Sequence, residues 1–396
     1  MRFLFKDISE VYTPLQRIGE AAMAVEEGII RWIGAADDLP ETYRNWPGIS
    51  LGNRGILPGL IDCHTHLVWG GNRLDEYTRR ARGESYEEIL EAGGGIYNTV
   101  MATRAASEDQ LFSLALERAH HFLQEGVTTL EVKSGYGLEP EAELKMLRVV
   151  KRLDQHFRQR FFPTLLAHVV PREWDRVDYL RMFCNELIPT VARENLATAV
   201  DVFCDRGAFS IAETRKIFEA ALDSGLAIKA HAEQLTHSGA TRLVAEMKGL
   251  SADHLEQTTA DDWRALALHG TVGTILPGAT VILRKAFPDL GAMRDAGVAL
   301  AVATDHNPGS SHLYSLMLCL QLASALGGLS VEEALASGTA TAGRALGRPE
   351  LGNLKVDSPA DFVVVDGPDA LSPFYHWGKN CIKQVYVGGD LAWRVG

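Results

Sequence analysis

The chain has 396 residues, of which 46% are hydrophobic and 23% are charged. This is the composition of an ordinary globular protein, and it excludes collagen-like, low-complexity and disordered chains. The 39 basic and 51 acidic side chains give a net charge of −12, which argues against a nucleic-acid partner and against an anionic membrane surface.

Cysteine usage and the N-terminus indicate the compartment. The five cysteines are scattered and form no C-x-x-C pair: Cys63, Cys184, Cys204, Cys319 and Cys381. We therefore expect neither a disulfide scaffold nor a structural zinc knot, and we expect the protein to reside in a reducing compartment. Lys6 and Asp7 interrupt the first apolar run, so we expect no secretory signal and no membrane span. The expected location is the cytoplasm.

Both ends of the chain read as β-structure. Alternating or apolar runs of strand length occur in four places: 21–25, 28–33, 361–366 and 381–387. Because they lie near opposite ends of the chain, the simplest topology pairs them into one small β domain. We assign residues 1–57 and 349–396 to this composite domain.

The middle of the chain, residues 58–348, alternates between strand-like and helical patterns. Eight apolar runs are predicted strands: 60–66, 127–132, 161–170, 198–203, 227–232, 249–255, 272–276 and 298–304. Eight strands that alternate with helices predict an α/β fold of the (β/α)8 TIM-barrel type. A doubly wound sheet would require a Gly-x-Gly-x-x-Gly turn after the first strand, and the sequence has none there.

Histidine or aspartate ends four of these strands. His64 and His66 close the first strand, and both point the same way because successive strand side chains alternate. His231, His254 and Asp305 close the fifth, sixth and eighth strands. Active sites of such barrels lie at the carboxyl ends of the strands, so we expect these side chains to converge there.

The residue types indicate a metal centre. Three imidazoles, from His64, His66 and His231, and the carboxylate of Asp305 suit one divalent ion, zinc or iron, with a position left for water. Such an ion lowers the pKa of bound water to about 7. Asp305 is then expected to take the water's proton and pass it to a leaving nitrogen. His254 is expected to support the attacking water or the oxyanion, which indicates metal-assisted hydrolysis of a carbon–nitrogen bond.

Residues 58–66, Pro-Gly-Leu-Ile-Asp-Cys-His-Thr-His, together with His231, His254 and Asp305, resemble the amidohydrolase superfamily. That resemblance implies a metal-hydrolase barrel flanked by a small β domain. Within the superfamily, several loops are similar to those of the imidazolonepropionases: 70–73, 92–96, 131–137, 166–168, 231–234 and 307–311. The similarity implies hydrolysis of 4-imidazolone-5-propanoate, a small-molecule substrate, by an enzyme that we expect to be a homodimer. The alternative is another superfamily member, an aminohydrolase or deaminase of a small heterocycle.

The implied substrate carries a propionate and a planar ring amide. Arg73 offers a bidentate fork for the carboxylate, Tyr136 offers a phenol, and His168 is expected to donate a hydrogen bond to the ring carbonyl. The loop after the eighth strand adds short polar groups, those of Asn307, Gly309 and Ser310. Without the resemblance, the same residues also fit a solvated charge, a packed ring, a core histidine and an Asx-Pro turn.

Three positions depart from the pattern of the relatives. Gln234 stands where related deaminases have a glutamate; it cannot ionise, which disfavours deamination, and we keep it as a candidate for catalysis and substrate binding. Residues 280–283 replace an aromatic-rich run, and His312 stands where proline is expected. The 280–283 run leaves the composition of the pocket wall undetermined at this point, and His312 is expected only to alter the stiffness of its loop.

Two further charged residues bear on the mechanism. Lys133 ends the second strand, too early for the carbamylated lysine of two-metal amidohydrolases, so we expect a buried charge partner and a single metal. Glu233 would share the face of His231 in a fully extended strand. It therefore competes with Gln234 and His254 as the group that assists Asp305.

Overall fold

The structure is a computed structural model and describes residues 1–84, 88 and 94–396. Part of the 92–96 loop named above, residues 92 and 93, lies outside the described residues. Within them the chain forms these strands: β1 (Arg2–Tyr12), β2 (Arg17–Glu26), β3 (Ile29–Ala35), β4 (Gly48–Pro58), β5 (Leu60–Asp62), β6 (Val127–Lys133), β7 (Arg160–Ala167), β8 (Ala199–Cys204), β9 (Ala227–Ala232), β10 (Ser251–His254), β11 (Val272–Ile275), β12 (Leu300–Val302), β13 (Phe362–Val365), β14 (Ile382–Val387) and β15 (Asp390–Arg394).

The helices of the described residues mostly follow the barrel strands. They are α1 (Glu41–Arg44), α2 (Leu74–Ala81), α3 (Ile96–Ala105), α4 (Glu108–Gln124), α5 (Pro140–His156), α6 (Arg176–Met182), α7 (Ile188–Arg193), α8 (Ile211–Asp223), α9 (Ala240–Glu246), α10 (Ala260–His269), α11 (Pro277–Ile282), α12 (Leu290–Asp295), α13 (Leu316–Gly327), α14 (Val331–Ser337), α15 (Ala340–Ala345) and α16 (Ser372–Tyr375). None of them is long and apolar enough to cross a membrane.

Strands β5 to β12 form one sheet in which chain neighbours are sheet neighbours and every pair is parallel. The first and last strands meet just beyond their ends, where Asp305 N donates to His64 O at 3.0 Å and His66 N donates to His306 O at 2.9 Å. This contact closes the sheet into a barrel. The predicted (β/α)8 TIM-type fold is therefore confirmed.

The second sheet unites the two ends of the chain in the order β15-β14-β13-β4-β1-β2-β3. The antiparallel pairing of β13 with β4 joins them. Its core includes stacked rings of Phe362 and Tyr386, 4.5 Å apart, with Phe5 against their edges. The predicted small β domain from both termini is therefore confirmed, while its exact limits at residues 57 and 349 stay a prediction.

Gly59 marks the passage from the small domain into the barrel. A Cβ atom there would lie 2.5 Å from the side chain of Thr128, so a larger residue would push β5 away from β6. The regular part of β5 ends at Asp62, earlier than predicted. The chain nevertheless stays bonded to the barrel, because Lys133 N donates to Thr65 O at 2.9 Å, and the histidines that follow are held at the rim.

Candidate metal centre

The four predicted ligands lie at one point at the carboxyl end of the barrel. Nε2 of His64 and Nε2 of His66 each lie 3.5 Å from Oδ1 of Asp305. The rings of His64 and His231 are 4.5 Å apart between centroids. All four residues are only 0–4% exposed. The structure thus brings together the side chains that strand-end positions predicted; their role as ligands remains a prediction.

Buried carboxylates orient two of the imidazoles. His64 Nδ1 lies 2.6 Å from Asp253 Oδ2, and His231 Nδ1 lies 3.1 Å from Asp201 Oδ1. Each Nδ1 therefore carries the proton, and each Nε2 presents a lone pair. Among the described residues, neither Nε2 atom has a hydrogen-bond partner. Buried nitrogens without partners are costly unless something else binds them, so this donor set fits a metal ion.

A fully buried network of charges lies beneath the ligands. Lys133 Nζ is 2.6 Å from Asp201 and 3.0 Å from Glu131, and Lys229 Nζ is 2.6 Å from Glu131 and 3.9 Å from Asp253. Burial alone would lower the pKa of Lys133, but Asp201 and Glu131 hold it above the ordinary value. These opposite charges compensate one another in the interior. The prediction of a buried charge partner at Lys133 is confirmed.

Two groups at the centre can handle protons. Burial would raise the pKa of Asp305, but its interactions with His64 and His66 hold it well below the ordinary value. Burial would lower the pKa of His254, but the Glu256 carboxylate, 3.7 Å from its Nδ1, raises it above the ordinary value. The His254 ring lies 5.7 Å from the ring of His64, and Asp305 Oδ1 lies 3.5 Å from His64 Nε2. His254 and Asp305 therefore both lie beside His64.

Glu233 does not face this space. Its φ of +54° ends β9 at Ala232 and turns the side chain away. The carboxylate accepts hydrogen bonds from the backbone amides that begin α9, including those of Gly239 at 2.7 Å and Ala240 at 2.9 Å. The expectation that Glu233 shares the face of His231 is therefore wrong: the residue caps a helix. Gln234, the next residue, is half-buried.

Tyr136 and His168 lie beside one metal-ligand candidate. Their rings are 5.7 and 6.3 Å from the ring of His66, and 5.5 Å from each other. His168 Nδ1 donates to Gly135 O at 3.0 Å, and burial lowers the pKa of His168 to about 3. The neutral ring therefore carries its lone pair on Nε2. This nitrogen can accept a hydrogen bond but cannot donate one, so the structure does not fit the expectation that His168 donates to the ring carbonyl of the substrate.

Arg73, Glu76 and the 307–310 turn meet at the rim, and we call this group the arginine corner. Arg73 Nε and Nη2 lie 2.8 and 2.6 Å from Glu76 Oε2. A Cβ atom on Gly309 would lie 2.4 Å from Arg73 Nη1, so the guanidinium rests on this glycine. The amides of Gly309 and Ser310 donate to Asn307 Oδ1, both at 2.7 Å. The Asx turn thus uses these two amides internally.

Ser310 connects the arginine corner to the metal centre, because its Oγ lies 3.3 Å from Asp305 Oδ2. Two of the three departures contact neighbours of these groups. Thr280, within the 280–283 run, donates to Glu256 at 3.3 Å, and the half-buried His312 packs against the ring of Tyr77. Sequence reasoning missed several groups: Glu76, Glu131, Asp201, Lys229 and Asp253. Charged residues inside apolar strand runs were the available signal for all but Glu76.

Known proteins with similar sequences belong to a family of metal-dependent hydrolases, as the geometry of this site indicates. The profile of the Amidohydrolase family matches residues 56–392. The imidazolonepropionase of Cupriavidus taiwanensis is 47% identical over 385 residues, which cover 96% of this chain and 92% of the relative. The imidazolonepropionase of Deinococcus radiodurans is 44% identical over 398 residues, which cover 98% of each chain.

Solved structures share the fold at low identity. A zinc-bound adenosine deaminase from Xanthomonas campestris has a TM-score of 0.75 at 18% identity and covers 98% of this chain and 92% of its own. A triazine hydrolase variant has a TM-score of 0.78 at 16% identity, with coverages of 98% and 94%. The chain is therefore a metal-dependent hydrolase of carbon–nitrogen bonds that belongs to the amidohydrolase family and, within it, to the imidazolonepropionases.

Proposed function

We propose that the protein hydrolyses the ring amide of 4-imidazolone-5-propanoate to N-formimino-L-glutamate, a step of histidine degradation. The observation that carries this proposal is the cationic Arg73 at the rim of the metal centre, connected to it through Gly309, Ser310 and Asp305. A substrate with a reactive ring and a carboxylate on a short chain requires a metal centre for the ring and a cation beside it for the carboxylate. The similarity to imidazolonepropionases supports the same substrate.

One divalent ion, zinc or iron, would be held by His64, His66, His231 and Asp305. When bound, it supplies an activated water and polarises the amide carbonyl. We propose a single ion. With His64, the carboxylates of Glu131 and Asp253 also have metal-ligand geometry, but two buried lysines already pair with them.

The side chains divide the remaining chemistry. The Asp305 carboxylate takes the proton of the attacking water and returns it to the ring nitrogen as the carbon–nitrogen bond breaks. His254 donates a hydrogen bond to the oxygen on which negative charge develops. Gln234 has an amide that can donate and accept but cannot ionise, so its part is to bind the ring and leave proton transfer to Asp305.

The substrate's two ends are bound by different groups. Arg73 binds the propionate, with Asn307, Gly309 and Ser310 forming the wall beside it. Tyr136 offers its phenol to the ring, and His168 accepts from a ring N–H through Nε2. A neutral purine or pyrimidine has no carboxylate for Arg73, which disfavours the aminohydrolase alternative.

The assembly and compartment are also proposals. The partner is the small-molecule substrate, and we expect a homodimer, the commonest symmetric assembly. All five cysteines are free thiols, and four of them are buried. Free thiols are typical of a reducing compartment, which supports the cytoplasm.

A direct assay tests the proposed reaction. Purified protein loaded with zinc or iron is mixed with 4-imidazolone-5-propanoate, and the loss of ring absorbance is followed while the product is identified by mass spectrometry. We expect one N-formimino-L-glutamate for each ring consumed, and no ammonia from adenine or cytosine. Ammonia release from a neutral base, with the imidazolone untouched, would establish the alternative.

A further inference from the structure

Glu76 is a buried carboxylate that joins two segments of the rim. It lies in the first turn of α2, and its side chain is 8% exposed. Its Oε2 accepts from Nε and Nη2 of Arg73. Its Oε1 accepts from the Gly95 amide at 2.9 Å and from Asn98 Nδ2 at 3.0 Å. One carboxylate therefore ties the start of α2 to the start of α3.

These contacts decide which part of Arg73 is available. A guanidinium is a planar fork with two edges that can each present a pair of parallel donors to a carboxylate. Glu76 occupies the side edge, formed by Nε and Nη2. The end edge, formed by Nη1 and the second hydrogen of Nη2, remains, and its Nη1 lies against Gly309.

We propose that Glu76 is a positioning residue, which fixes Arg73 so that only the end edge of its guanidinium meets the substrate carboxylate. This inference deepens the proposed function and rests on it, because it assigns the propionate to Arg73. Holding the fork in place before the substrate arrives removes the entropy that a free arginine would lose on binding. Glu76 thereby acts on substrate affinity through Arg73 and touches neither the reacting ring nor the metal.

The charge of Glu76 is essential to this role. Its four partner groups, two on Arg73 and one each on Gly95 and Asn98, are all N–H donors. A glutamine has one acceptor oxygen and an NH2 group, so the two donors that share the replaced oxygen would face another donor. Burial raises the pKa of Glu76, but Arg73 and the Gly95 amide lower it below the ordinary value overall, so the carboxylate is charged at neutral pH.

The test compares steady-state kinetics of Glu76→Gln, Arg73→Ala and the double variant in metal-loaded enzyme. The matched control is Glu84→Gln, which breaks the more exposed pair with Arg79 and is expected to behave as wild type. Glu76→Gln should raise KM for 4-imidazolone-5-propanoate by roughly tenfold or more, with kcat within about threefold. The double variant should be no worse than Arg73→Ala, because Glu76 acts through that side chain.

A substrate analogue separates this role from a general loss of structure. For 4-imidazolone-5-propanamide, which has no carboxylate, wild type and Glu76→Gln should have equal KM. If wild type and Glu76→Gln had equal KM values for the propanoate while Arg73→Ala had a higher one, the inference would be overturned and the proposed function would stand. An Arg73→Ala variant with wild-type KM would instead overturn the carboxylate assignment on which both depend.

A milder variant covers the case in which Glu76→Gln does not fold. Asn98 is exposed, and Asn98→Ala removes one donor to Glu76 without leaving a buried gap. It should raise KM for the propanoate by about two- to fivefold, as expected for one ordinary hydrogen bond, and should leave the propanamide unaffected. Unchanged KM for both compounds in a folded Asn98→Ala variant would count against Glu76 as a positioning residue.

Discussion

The metal centre and the arginine corner are neighbours that are built in different ways. The centre takes His231 and His254 from strand ends, and it takes His64, His66 and Asp305 from the chain just beyond strand ends. These residues lie above a closed network of buried charges. The corner takes Arg73 and Gly309 from loops, fixed by Glu76 and an internal Asx turn. Rigid elements hold reacting groups to the tolerance that chemistry needs, and loops tolerate change. We infer that the centre determines rate and the corner determines affinity.

The largest effect is expected from removing a ligand. His231→Ala should lose its metal and reduce turnover to the background rate, because the ion generates the nucleophile. Metal content by mass spectrometry and turnover are measured on the same sample. His269→Ala, which alters an exposed histidine at the end of α10, is the matched control. Stoichiometric metal with full activity in His231→Ala would remove that residue from the centre.

Next in size is the loss of the proposed proton carrier. Asp305→Asn, with metal restored by excess ion, should remain slower by about 10²- to 10⁴-fold, because an amide cannot accept the water's proton. If Asp305 were only a ligand, excess metal would restore the rate. The helix-capping contacts of Glu233 predict that Glu233→Gln stays active, and a dead Glu233→Gln beside an active Asp305→Asn would reverse the assignment.

The buried carboxylates should matter to the metal and less to the substrate. Asp253→Asn keeps the size of the side chain but weakens the acceptor for His64 Nδ1, 2.6 Å away. Metal affinity should fall about 10- to 100-fold, as is typical when the partner of a metal-binding histidine is altered. Competition with a chelator measures this affinity. A wild-type value would mean that the strand ends alone position His64.

At the corner, Arg73→Lys keeps the charge and removes the fork. The loss of a charge-assisted hydrogen bond costs about 1.5–3 kcal/mol, or about ten- to a hundredfold in kcat/KM, and it should appear in KM. Lysine is a compact point charge and cannot reproduce the two-edged geometry. Wild-type kinetics of Arg73→Lys would show that the propionate is bound elsewhere.

The smallest effect concerns the stability that Glu76 provides. Its pKa is lowered in the folded chain from an ordinary value of 4.5, so its contribution is complete above that value and is lost as the pH falls through the lowered pKa. Urea unfolding should show Glu76→Gln less stable than wild type by about 1 kcal/mol at pH 7, with the difference shrinking below pH 4.5. A difference that grows on acidification would contradict the ion pair.

Sequence patterns predicted most of the residues of the centre because the candidate ligands lie where apolar runs end, and such positions can be read from the sequence alone. The orienting groups were missed for a physical reason. Asp253 lies 189 residues from His64, and a single acidic residue inside a strand does not reveal its partner. Glu233 was misjudged because alternation assumes an extended chain, whereas its φ is +54°.

The arginine corner was predicted in part. Arg73 and the 307–310 turn were found from the resemblance, but their contact depends on how two loops fold over the rim. The Arg73–Glu76 pair has the i,i+3 spacing typical of ordinary surface ion pairs, so spacing alone gave no reason to single it out. For His168, the switch from donor to acceptor depends on the carbonyl of Gly135, which no side-chain pattern indicates.

One measurement tests directly whether the metal centre determines rate and the arginine corner determines affinity. It compares kcat and KM of metal-loaded Asp305→Asn and Arg73→Ala on 4-imidazolone-5-propanoate. A group that acts only in the transition state lowers kcat, and a group that binds substrate and transition state alike raises KM. We predict that Asp305→Asn has a much lower kcat and a nearly unchanged KM. We predict that Arg73→Ala has a higher KM and a kcat within about threefold of wild type. A large fall in kcat for Arg73→Ala, or a wild-type kcat for Asp305→Asn, would contradict the separation of rate from affinity.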